Sequence, residues 1–116
     1  MIKKIALFLI VLMVFSSLAA WAQSGQYTAT QLYQKAQRLQ FDVKADPAKL
    51  NQRSNWERII KSYKLIIDSY PNDPLVDDII FITGGVYKEM YQIFGNRSYL
   101  DRSIAQYRTV LRDYPS

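Results

Sequence analysis

From Thr30 to the end of the chain, apolar residues recur at steps of three and four, the spacing that gathers side chains on one face of an α-helix. The first stretch, residues 30–43, brings Leu32, Ala36, Leu39 and Val43 together, with Gln34, Lys35, Gln37 and Arg38 opposite. Asp46-Pro47 interrupts it, because a proline disfavours helical geometry in the preceding residue and itself suits a first turn. A short turn or helical fragment over residues 47–53 leads on. The second stretch starts at Ser54, where Ser54 and Glu57 have the spacing of a capping box. It carries Trp56, Ile59, Ile60, Tyr63, Ile66, Ile67 and Tyr70 on one broad face. Pro71 ends it, and Asp73-Pro74 restarts the chain as N-cap and first helical residue.

The third stretch, residues 74–94, is apolar on more than one side, with Leu75, Ile79, Phe81, Ile82, Val86 and Met90 among its members. That pattern predicts the most buried element. Gly84-Gly85 in its middle costs about 1 kcal/mol per glycine relative to alanine, and a neighbouring helix passing close by would compensate. Gly95 is placed as a C-terminal cap. A fourth helix begins near Ser98, with Asp101 three residues on, and runs through Leu100, Ile104, Tyr107, Val110, Leu111 and Tyr114.

The second and fourth stretches are copies. Residues 56–72 return 44 positions later, matching Arg58 with Arg102, Tyr63 with Tyr107, Tyr70 with Tyr114 and Pro71 with Pro115. Self-similarity at a fixed offset marks a stacked-repeat architecture, in which each unit presents a face that a neighbour must cover. The expected fold is all-α, with two antiparallel helical hairpins. In the second copy, Ile104, Val110 and Leu111 have no following helix, so marginal stability or self-association is expected.

Ahead of the repeats, Lys3 and Lys4, the apolar run from Ile5 to Leu18, and Ala20-Trp21-Ala22 have the layout of a signal peptide with its cleavage site. Residues 1–22 are read as that signal and residues 23–116 as the helical domain. The competing reading is an uncleaved membrane anchor, and membrane contact is expected only in that case. Without the signal, 13 basic residues face 10 acidic ones, a net charge of about +3 that is no footprint for nucleic acid. The chain has no cysteine, hence no disulfide and no acceptor for a bacterial lipid anchor. It has no histidine either, which removes Ser-His-Asp triads, His-based acid–base pairs and the familiar zinc hydrolase sites. No cofactor, no metal and no catalytic residue is therefore expected, and the chain is read as a non-enzyme.

Gly84 and Tyr87 on one helix, Ile104 and Tyr107 on the next and a closing Pro115 resemble a tetratricopeptide repeat, although the interval from Tyr87 to Pro115 is longer than that family's. More specifically, residues 44–48 (Lys-Ala-Asp-Pro-Ala), 55–59 (Asn-Trp-Glu-Arg-Ile), 70–78 (Tyr-Pro-Asn-Asp-Pro-Leu-Val-Asp-Asp) and 100–104 (Leu-Asp-Arg-Ser-Ile) look like the N-terminal region of certain bacterial N-acetylmuramoyl-L-alanine amidases. The resemblance implies a tetratricopeptide-like solenoid in the periplasm, linked to peptidoglycan. It carries over no catalytic residue, since that family's zinc ligands include histidines. In tetratricopeptide stacks the first helix of each hairpin lines a concave groove. That implies Asp78, Phe81, Gly85 and Lys88 on the third helix as groove residues, and Arg38 is the candidate on the first.

Most other candidates read as structure. Tyr63, Tyr70, Tyr107 and Tyr114 hold repeat positions and read as packing residues with hydroxyls reaching a helix end or water. Tyr87 and Tyr91 are freer but still read as core or edge. Trp56 reads as the anchor of its helix pair. Asp77-Asp78 is explained by the positive end of a helix dipole rather than by a cation. Lys35, Arg38, Lys44, Lys49 and Arg53 read as a solvated face, with an anionic wall polymer or acidic partner as the alternative. Asn96-Arg97-Ser98 matches a glycosylation acceptor but reads as a capped loop.

The expected function is an exported interaction scaffold of the cell envelope that offers a groove to a protein or peptide. One alternative is the front part of a zinc-dependent amidase, and another is a glycan-binding module using exposed tyrosines on peptidoglycan. The reading frame downstream of codon 116 separates the first two.

Overall fold

A computed structural model describes residues 26–115, so residues 1–22, which carry the signal-or-anchor expectation, lie outside the described part. The helices there are α1 (Ala29–Ala45), α2 (Pro47–Leu50), α3 (Arg53–Ser69), α4 (Val76–Phe94) and α5 (Arg97–Asp113). No strand occurs among the described residues.

The ends of these helices follow local chemistry, not always the residues predicted. At α1 the backbone amide of Gln31 donates to the Thr28 hydroxyl while the Thr28 amide donates to Gln31 Oε1, a reciprocal capping box. The box expected from Ser54 and Glu57 does not form, because the N-cap of α3 falls two residues earlier, at Gln52, which makes no side-chain bond. The reason lies in the linker. Asn55 Nδ2 donates to the Lys49 carbonyl and to Gln52 Oε1, and Trp56 Nε1 donates to the Leu50 carbonyl at 2.7 Å, so α2 is folded onto the start of α3. Asp73 likewise caps a turn rather than α4, its carboxylate accepting from the Leu75 amide, and α4 begins at Val76. Asn96 caps α5 by accepting from the Ser98 amide, and Gly95 ends α4 in the left-handed conformation, φ 71°.

Packing joins α1 to α3, α3 to α4 and α4 to α5. The first pair is antiparallel: the Tyr70 hydroxyl donates to the Tyr27 carbonyl at one end, and Tyr33 meets Tyr63 further along, ring centroids 6.4 Å apart. In the last pair Phe81 meets Tyr107 and Arg102 lies over the Tyr87 ring, again antiparallel. The core gathers Ala36 and Val43 from α1, Trp56, Ile59, Tyr63 and Ile66 from α3, and Ile79, Val86 and Met90 from α4. Helix α4 holds more buried residues than any other, as its apolar pattern predicts.

The repeat is visible in the backbone. Helices α3 and α5 begin and end 44 residues apart, and their C-cap tyrosines adopt the same conformation, φ −134°, ψ 60° at Tyr70 and φ −133°, ψ 58° at Tyr114. The copies differ where α4 must approach. Ser103 of α5 stands where α3 has Ile59, and its hydroxyl, buried, donates to the Gly84 carbonyl at 2.7 Å. A Cβ on Gly84 would stand 2.9 Å from the Tyr107 ring, so the missing side chain is what lets α4 and α5 close.

Candidate interaction surfaces

Every amphipathic helix has a polar face, but α1 interrupts its own with an aromatic ring. Phe41 is 71% exposed, and Gln37, Gln40 and Lys44 surround it at helical spacing. An apolar ring left in water is informative when it lines a concavity with convergent polar groups. Here it does. An open groove of about 580 Å³ runs between α1 and α4, lined by Gln37, Gln40, Phe41, Lys44 and Ala45 of α1, with Tyr63 of α3 and Ile82 of α4 beside them.

Two contacts shape that groove. The buried Tyr63 hydroxyl donates to Gln40 Oε1 at 2.6 Å, which fixes the orientation of the Gln40 amide. Burial, with a smaller contribution from neighbouring Tyr33, pushes the Tyr63 phenol up to about 12, so it remains a donor at neutral pH. Across the open space, Lys44 Nζ and Glu89 Oε1 pair at 2.9 Å and tie α1 to α4. The groove therefore offers an aromatic platform, amides that can donate and accept, and a cation already partly neutralised.

The sequence-predicted groove residues divide between two other places. Arg38 lines a second depression on α1 with Tyr27, Gln31, Gln34, Lys35 and Gln37. In that depression the Lys35 ammonium stands 3.7 Å from the Tyr27 ring centroid, and its hydrogen bond and charge hold the Tyr27 phenol below its ordinary range. Asp78, Phe81, Gly85 and Lys88 fall on one stripe of α4 at helical spacing, but none of the four lines the depression around Arg38 or the α1–α4 groove. Phe81, more than half exposed, packs its ring 5.3 Å from that of Tyr107, and Gly85 faces the Tyr107 hydroxyl. Asp78 and Lys88 are exposed at the two ends of the stripe.

Sequence reasoning passed over Phe41, Gln40 and Ile82. Phe41 had a signal, a lone aromatic on an otherwise polar helix face. Ile82 had none, since α4 is apolar on more than one side. Tyr87 and Tyr91 are half-buried against the core, and Trp56 is wholly buried. The Asp77 carboxylate accepts from the Asp78 amide, and among the described residues no group of three or more Asp, Glu, His or Cys gathers as a metal site would. Among the same residues, no helix is long and apolar enough to cross a membrane. No protein-family model matches the chain, and neither does any curated protein or solved structure.

Proposed function

We propose that the chain is a tetratricopeptide-like scaffold, exported to the periplasm of a bacterial envelope, which holds an extended or helical segment of a partner protein in the groove between α1 and α4. The observation that carries this reading is Phe41, exposed on the groove wall among the amides of Gln37 and Gln40. An aromatic platform takes an apolar side chain, and neighbouring amides satisfy the peptide groups beside it. Support for export comes from the charged and apolar layout of residues 1–22, and support for peptidoglycan maintenance from the four segments that resemble amidase N-terminal regions.

Phe41→Asp tests the groove. As a surface change it should alter stability by no more than about 0.5 kcal/mol, yet recovery of a cross-linked partner from cells should fall by about tenfold, the consequence of losing roughly 1.4 kcal/mol of binding. Leu65→Asp, at an exposed position on α3 away from the groove, should leave recovery unchanged. Equal recovery with all three proteins would remove the groove from the function.

The amidase resemblance favours a second reading, the front part of a zinc-dependent enzyme. With no histidine in the chain, the exported protein is expected to release no muropeptides from purified peptidoglycan, with or without zinc. Zinc-dependent release would make it an enzyme in its own right.

A further inference from the structure

Helices α3 and α5 both pack on α4 and do not pack on each other, so a cleft lies between them with α4 as its floor. It holds about 350 Å³, enough for a small molecule and too little for a helix, and it shares no lining residue with the groove at Phe41. Ile80 and Thr83 of α4 are buried at its base, with Ile60 and Ile67 of α3 half-buried beside them. Tyr87, half-buried, lines the cleft as well, with Arg102 over its ring.

The α3 wall carries one charge of each sign. Lys64 and Asp68 stand one turn apart, about 6 Å along the axis, both exposed and, among the described residues, neither in an ion pair. Lysine ahead of aspartate at this spacing is the less favourable order on a helix, so the two groups gain little from each other. The Thr83 and Thr109 hydroxyls donate to the Ile79 and Ala105 carbonyls at 2.8 and 3.0 Å, so towards a ligand they can only accept. On the α5 wall the Gln106 amide can both donate and accept.

We propose that this cleft binds a small zwitterion, an α-amino acid with an apolar side chain. The side chain lies on Ile60, Ile67 and Ile80, the carboxylate meets the Lys64 ammonium, and the α-ammonium meets the Asp68 carboxylate, with the threonine oxygens as further acceptors. Charge balance selects this class. An anion such as phosphate gains Lys64 but meets Asp68, a cation gains Asp68 but meets Lys64, and a neutral apolar molecule leaves both charges without a partner. A ligand with both charges on one carbon leaves neither.

The purified chain, isotope-labelled, can be titrated with L-leucine while the backbone amide resonances of Thr83, Tyr87 and Thr109 are followed by NMR. Leucine should shift all three saturably, with a dissociation constant on the order of 1 mM or below. N-acetyl-L-leucine lacks the ammonium and L-leucinamide lacks the carboxylate. Each should bind at least about tenfold more weakly, the typical effect of losing one hydrogen bond between charged groups. Lys64→Gln should cut leucine's advantage over leucinamide to less than about twofold, and Asp68→Asn should do the same for its advantage over N-acetyl-leucine, because each variant removes the partner of the group that the analogue lacks. Both positions are exposed, so circular dichroism should be unchanged. Phe41→Asp should leave leucine binding within about twofold of the wild type, which separates this site from the groove. The proposal is overturned if leucine produces no saturable shift at these amides, if the three ligands bind within about twofold of one another, if the shifts centre on Gln37 and Phe41 instead, or if either charge variant leaves leucine's advantage intact.

Discussion

Trp56→Ala is expected to destabilise the chain by about 3–5 kcal/mol, the usual cost of removing a large aromatic from a core. Trp56 is 0% exposed, and its indole N–H is the donor to the Leu50 carbonyl at 2.7 Å. The substitution therefore opens a cavity between the first helix pair and strips the Leu50 carbonyl of its partner, two costs of different origin. Because small domains are stable by only about 5–15 kcal/mol in all, a large part of the folded population should be lost. Denaturant midpoints measured by circular dichroism would show the shift. Trp56→Phe separates the two causes, since it keeps most of the volume while losing the hydrogen bond, and should cost about 1–2 kcal/mol. Protease cutting within residues 47–53 should rise in both variants, because the link from α2 to α3 runs through the indole. A loss under about 1 kcal/mol for Trp56→Ala would mean that the α2 linker and the core are not coupled.

Stability should also fall steeply in alkali, through Tyr63. Its phenol is pushed up to about 12 when folded, chiefly by burial, against about 10 in an unfolded chain. A raised folded value means that, between those two points, the folded state keeps a proton that the unfolded state has released. The contribution is whole below about pH 10 and is lost as the pH climbs through the folded value, at about 1.4 kcal/mol per pH unit. Over two units the loss is about 3 kcal/mol. Urea midpoints taken from pH 9 to pH 12 on the wild type and on Tyr63→Phe would test it. The variant has no proton to lose at this position, so the part of the slope due to Tyr63 should vanish. Its stability at pH 7 should be lower by about 1 kcal/mol for the lost bond to Gln40. Identical slopes in the two proteins would show that Tyr63 ionises without consequence.

Helix ends show where local reasoning succeeds and where it stops. Gly95 as a left-handed cap and Pro71 as a terminator were legible because each acts through its own backbone geometry. The Ser54–Glu57 box was equally well spelled and does not form, because Trp56 and Asn55 hold the α2 linker by bonds to carbonyls up to six residues away. Gly84-Gly85 predicted a close neighbour, and the neighbour is there. That it is the Tyr107 ring, with Ser103 hydrogen-bonded alongside, follows only from the pairing of α4 with α5.

For the candidate surfaces the division is sharper. Asp78, Phe81, Gly85 and Lys88 were recognisable as one stripe of α4, since spacing alone puts them there. Arg38 could not be assigned to the same surface or excluded from it by spacing, because α1 and α4 are joined through α3 and only their packing says which faces look at each other. Phe41 was legible as an oddity and not as a site, for a lone aromatic on a polar face acquires meaning only when another helix makes a wall opposite it.

The amino-acid order by itself determined the helices, the breaks between them and the 44-residue repeat, because periodicity, proline and glycine act within a few residues of backbone. Tertiary structure alone decided which residues of each copy are covered. Tyr63 and Ile66 are wholly buried, while Tyr107 and Val110, their counterparts, keep part of their surface in water. Burial belongs to a residue's neighbours rather than to the residue: α4 lies across the first copy, and among the described residues no helix lies across the matching face of the second.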